Sequence, residues 1–197
     1  IYTLGRFGLV RDGKPLRFTR KAQEKPLAML KVLIALGGRE VHAEQIADAL
    51  WPEADGDLAH KSFATTLWRL RKLIGYPDAI QLSDKKLTLD PRYCWVDVWA
   101  FERIIRQAES AWKQAMKEND TAYAISMVQK ALDFYQGPFL AAEANAYWAI
   151  SLRERLQKRF LRTVKRLCEY WKQIGQHENA VECFQRSLEV DDLAEDF

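Results

Sequence analysis

The sequence predicts an α+β chain: a small β-sheet with three helices in its first half, and helices alone in its second. Three observations predict this. Runs of β-branched and aromatic residues at strand spacing occur only before Val98. Apolar residues at helical spacing dominate from Val98 onward. Of the 197 residues, 48% are hydrophobic and 29% charged, with only 9 Gly and 6 Pro, which is a globular composition and neither disordered nor linker-like. The length suits two small domains. The boundary is expected near Asp97, giving an N-terminal α+β domain over 1–97 and a helical domain over 98–197. The charge divides at the same place. Residues 1–97 hold 16 Lys and Arg against 12 Asp and Glu, whereas residues 98–197 hold 14 against 15. The basic excess of +3 therefore lies in the first half.

The elements follow in order. Residues 1–10 alternate as a strand, Arg11-Asp12-Gly13-Lys14 is a hairpin turn, and Leu16 and Phe18 continue the alternation. A helix spans about 23–36, with Pro26 in its first turn, Leu27, Leu30, Leu33 and Ile34 on one face, and Gly37-Gly38 as its stop. A short helix over about 43–50 ends at Trp51-Pro52, with His42 at its cap and Trp51 in the core. An acidic loop leads to a third helix over about 58–74, which stops at Gly75. Two short strands, 80–82 and 87–89, flank Ser83-Asp84-Lys85-Lys86, and 93–98 reads as a further strand. Helices are expected at 98–118, 121–136, 143–173 and 177–190.

The third helix carries the functional signal. From Leu58 to Gly75 it contains Lys61, Arg69, Arg71 and Lys72 and no carboxylate. On a helical wheel Phe63, Leu67, Leu70 and Ile74 form a narrow apolar stripe. The opposite side presents Lys61, Thr65, Trp68, Arg69 and Lys72, flanked by Ser62, Thr66 and Arg71. Arg reaches guanine edges bidentately, Lys and hydroxyls bind phosphates, and a Thr methyl meets the thymine methyl. The absence of acids removes repulsion from the phosphate backbone. A short helix, a turn, a longer basic helix and a hairpin follow the order of a winged helix-turn-helix. Its wing tip is Lys85-Lys86, and double-stranded DNA is the expected partner.

The helical half reads as a repeat. Asn119 to Ala124 and Gly175 to Ala180 align at an offset of 56, which pairs Val128 with Phe184, Ala131 with Ser187 and Leu132 with Leu188. Small residues that admit a neighbouring helix, alternating with bulky ones, match the second helix of a tetratricopeptide repeat. The offset exceeds the usual period, so an additional helix is expected near 143–160. The repeat stops at Asp191-Asp192, and 193–197 begins a further helix.

Other chemistry finds no support. Cys94, Cys168 and Cys183 have no metal-like spacing and suggest a reducing, cytoplasmic compartment. His42, His60 and His177 are scattered, and neither a catalytic dyad nor a Gly-x-x-x-x-Gly-Lys loop is present. No enzyme activity, cofactor or metal is expected. The longest apolar stretch, Leu27 to Leu36, is interrupted by Lys31 and falls short of the roughly 18 residues of a membrane span. The chain starts at Ile1 rather than Met, as a piece of a longer protein would.

The string Gly37-Gly-Arg-Glu-Val-His-Ala-Glu-Gln-Ile-Ala-Asp-Ala-Leu-Trp-Pro52 and the string Thr65-Thr-Leu-Trp-Arg-Leu-Arg-Lys-Leu73 resemble the DNA-binding domain of OmpR/PhoB-type response regulators. They are closer still to bacterial activators of the antibiotic-regulatory-protein (SARP) type. Gly137-Pro-Phe-Leu140 and the helix from Glu154 to Lys172 resemble the transcriptional activator domain of that family. The resemblance implies that Thr65, Trp68 and Arg69 face bases, and that Lys61, Ser62, Thr66, Arg71 and Lys72 face phosphates. It also implies contact between the helical half and RNA polymerase or the regulator's own sensory region, and self-association on repeated sites. Trp68 stands where response regulators often carry a basic residue. The wing holds Lys85 and Lys86 but lacks an Arg-Gly-x-Gly-Tyr strand. The competing reading is a scaffold that uses the same two modules for protein contact alone.

Overall fold

The structure, a computed structural model, describes residues 1–18, 23–118 and 120–189, without the side chains of 116 and 118. Asn119, Asp191, Asp192 and the expected helix over 193–197 lie outside the described residues. The chain divides into two units. One comprises Ile1, Gly8–Trp95 and Ala146–Ala149; the other comprises Tyr2–Phe7, Val96–Asn145 and Ile150–Phe197.

The first unit opens with a hairpin of two-residue strands, β1 (Val10–Arg11) and β2 (Lys14–Pro15). Asp12 and Gly13 both have positive φ, the conformation that a tight two-residue hairpin turn demands. Helix α1 (Glu24–Ala35) ends as the glycine pair requires. The Gly37 N–H donates to Ile34 O and the Gly38 N–H to Leu33 O, so two left-handed glycines satisfy carbonyls that the helix end would leave open. Strand β3 (Val41–His42) leads directly into α2 (Ala43–Leu50). His42 occupies the N-cap position of α2, but its side chain makes no capping bond. Helix α3 (Gly56–Ile74) starts two residues earlier than its apolar pattern suggests, because Asp55 caps it through the Gly56 N–H. It closes at Gly75 in the left-handed conformation. Strands β4 (Ile80–Ser83) and β5 (Lys86–Leu89) pair antiparallel, with β3 on the other side of β5. Leu30, Leu33, Ile46, Leu70, Ile80, Leu87 and Leu89 form the core of this unit.

Two expected strands are absent. Residues 93–98 form no strand, because Asp90 turns the chain: its carbonyl accepts from Tyr93 N and Cys94 N, and its carboxylate accepts from Arg92. The leading residues form no continuous strand either. Gly5 sits at positive φ and donates to Pro138 O, and a Cβ there would collide with the Gln136 carbonyl. Leu4 makes an isolated antiparallel bridge with Phe139.

The second unit is helical. Helix α4 (Asp97–Glu118) begins at a buried carboxylate. The oxygens of Asp97 accept from Thr3 N at 2.6 Å, Thr3 Oγ1 at 2.6 Å, Leu4 N at 2.8 Å and Val98 N at 2.7 Å. Helices α5 (Ala122–Phe134), α6 (Tyr147–Gln173) and α7 (His177–Leu188) follow. Phe101, Tyr135 and Phe160 are fully buried, with the last two rings stacked at 4.2 Å. The small repeat positions Ala124, Ala131, Ala180 and Ser187 are buried, as close helix packing needs. The helix expected near 143–160 is not a separate element but the first part of α6. The extra length of the repeat goes into a loop containing one 3-10 turn (Ala141–Glu143) and into the unbroken α6. The Arg153 guanidinium gathers this loop by donating to the carbonyls of Phe139, Leu140, Glu143 and Ala144.

Candidate nucleic-acid interface

The interface is built on α3. Acidic Asp57 in its first turn and Arg71 and Lys72 in its last turn complement the helix dipole. Phe63, Leu67 and Leu70 are buried, which fixes the rotation of the helix about its axis. That rotation leaves Lys61, Thr65, Trp68, Arg69 and Lys72 exposed, and Ser62 half-buried beside them. Trp68 is 61% exposed in the middle of this polar face, with Lys72 Nζ 5.3 Å from its ring centroid.

Two of the expected phosphate contacts do not face outward. Thr66 is buried, because it stands three residues after Phe63 and four before Leu70 and so shares their inward side. Arg71 is committed to the fold: its Nε and Nη2 donate to Ile80 O at 3.0 and 2.8 Å, which ties α3 to β4. Neither residue belongs to the exposed surface.

At the tip of the β4–β5 hairpin, Asp84 and Lys85 both have positive φ, so the turn is as tight as a hairpin allows. Lys85 is exposed and Lys86 half-buried, while the Lys85 carbonyl accepts from Ala43 N at 2.8 Å. The wing tip is thus held at the start of α2. Exposed Asp84 adds one acid to this tip.

Sequence reasoning missed the contribution of the β1–β2 hairpin. Its Asp12 accepts from Tyr76 Oη at 3.1 Å, and this bond to an anion raises the Tyr76 pKa. The Arg11 side chain lies against Gly75, where the α3 dipole is negative. A cation near a helix C-terminus is a usable signal only once the hairpin's position is known.

Residues 96–197 match the bacterial transcriptional activator domain family. The chain belongs to this family. Over 174 residues it is 25% identical to "Regulatory protein AfsR" of Streptomyces griseus, covering 88% of this chain and 17% of that protein. Its fold is similar to that of the solved structure "Mycobacterium tuberculosis EmbR in complex with low affinity phosphopeptide", with a TM-score of 0.74 and 18% identity. That match covers 95% of this chain and 49% of the other. The chain therefore spans less than a fifth of one relative and about half of the other. The α+β fold expected from the sequence and its likeness to SARP-type activators both hold. Among the described residues, no helix is long and apolar enough to cross a membrane.

Proposed function

We propose that this bacterial transcriptional activator family member binds double-stranded DNA sequence-specifically through α3. The observation that carries this reading is the outward face of α3 beyond its first turn, where Lys61, Thr65, Trp68, Arg69 and Lys72 are all exposed with no acid among them; Asp57, in the first turn, is the one carboxylate of the helix. In this reading α3 lies in the major groove. Arg69 and Thr65 address base edges, Trp68 supplies apolar contact to a base, and Lys61, Ser62 and Lys72 hold phosphates. Lys85 and Lys86 on the wing meet the adjoining backbone. The 1–97 segment is the DNA-reading domain, and 98–197 is the activating domain. The latter contacts RNA polymerase or a sensory region of the longer protein, and copies associate side by side on repeated sites. A regulator of this kind acts in the bacterial cytoplasm.

Selection of bound duplexes from a random pool tests the reading. The expected result is an enriched motif whose recovery falls with salt and with Arg69→Ala. Failure to enrich any motif, together with no retention on heparin, would overturn it in favour of a protein-contact scaffold.

A further inference from the structure

Two thiols in the helical unit stand apart from everything described above. Cys168 on α6 and Cys183 on α7 belong to two helices joined by a short turn at Gly175. Cys168 lies seven residues before that glycine and Cys183 eight after it. In an antiparallel helical hairpin, with equal rise along both arms, such positions stand level. The structure bears this out: the Cys168 Sγ–H donates to Ala180 O on α7 at 3.8 Å, and Ala180 stands one helical turn before Cys183 on the same buried side of α7. Both residues are buried, and Cys183 forms part of the wall of a cavity of about 220 Å³ with Leu167, Trp171, Glu182 and Arg186.

The geometry points to Cys168 and Cys183 as a site of oxidative modification, at which a hydroperoxide converts the pair into a disulfide that fastens α7 to α6. The steps balance. The Cys168 sulfur, as thiolate, attacks the peroxide; an S–O bond forms, the O–O bond breaks, and the departing oxygen takes up a proton to leave as water or an alcohol. The Cys183 sulfur, after losing its proton, then attacks the sulfenic sulfur. An S–S bond forms, and the S–O bond breaks to release water. One hydroperoxide is reduced and two thiols are oxidised.

The surroundings assign the two roles. The neighbouring Cys183 thiol and the Lys172 ammonium, one helical turn beyond Cys168, hold Cys168 below the ordinary thiol value despite burial and Glu169. The neighbouring Cys168 sulfur, burial and Glu182 push Cys183 up. Cys168 is therefore the attacking sulfur and Cys183 the resolving one. Cys94, buried in the other unit and pushed up by burial, serves as the internal control.

The test is hydrogen peroxide treatment of the folded chain, followed by denaturation, thiol alkylation and peptide mapping. The expected product is a single cross-linked peptide pair joining Cys168 and Cys183, with Cys94 recovered as a free thiol. Hydrogen exchange at α7 amides should slow by about tenfold or more on oxidation. In Cys183→Ser a sulfenic acid should be trapped at position 168, whereas Cys168→Ser should yield none at 183. Recovery of both residues of wild type as thiols, their separate over-oxidation, or unchanged α7 exchange would each overturn the proposal.

Discussion

Arg69 and Lys72 lie on the same face of α3, yet the proposed reading assigns them different work. Arg69→Ala should cost about 1–3 kcal/mol on the selected site and relax preference at one base position. A competition profile against single-base variants checks this, and an unchanged profile would remove Arg69 from base reading. Lys72→Ala should weaken binding to all sequences alike and flatten the log–log salt dependence by about 0.9. An equal loss of affinity with an unaltered slope would argue against a phosphate contact. Arg71, beside Lys72 in sequence, should do neither. Because its guanidinium is spent on Ile80 O, Arg71→Met should lower unfolding free energy by about 1–2 kcal/mol while leaving the salt slope intact. Denaturant unfolding and salt titration of the same variant separate the two effects.

At the scale of elements, the Asp97 carboxylate is the point on which a segment depends. It accepts four hydrogen bonds, three of them from Thr3 and Leu4, in a buried setting. Asp97→Ala should leave these donors unpaired and cost about 3 kcal/mol or more, with new proteolytic cleavage among the first residues as the structural readout. Elements whose signal is local were legible in the sequence: α1 with its glycine stop, α2 ahead of Trp51-Pro52, the β4–β5 hairpin and the apolar stripe of α3. Elements that depend on distant partners were not. Strand β3 is two residues long and exists by pairing with β5. The loop after α5 is shaped by Arg153, which carries no local mark of that role. The alternation at residues 1–10 is real, but Gly5 and its approach to Gln136 break the strand it suggests. In the candidate site the exposed face of α3 was legible from periodicity. The inward placement of Thr66 was open to the same reading, since its spacing to Phe63 and Leu70 puts it on their side; the diversion of Arg71 was not, because it depends on the packed Ile80 carbonyl.

For the whole molecule, the modest +3 charge matters less than where the cations stand. Self-association on DNA should appear in the selected motif as repeated half-sites in one orientation, with centres about 10–11 base pairs apart or a multiple of that, so that successive copies meet the same side of the duplex. A solitary motif with no preferred partner spacing would remove self-association from the reading.

The path of the backbone also governs how these modules could be exchanged. Tyr2–Phe7 belong with the helical unit, although the residues that follow build the winged helix. Grafting a foreign reading head onto this activator would therefore have to retain Tyr2–Phe7 and splice behind them. A cut made only at the obvious junction near residue 96 would strip the helical body of a strap supplied from ahead of the reading head.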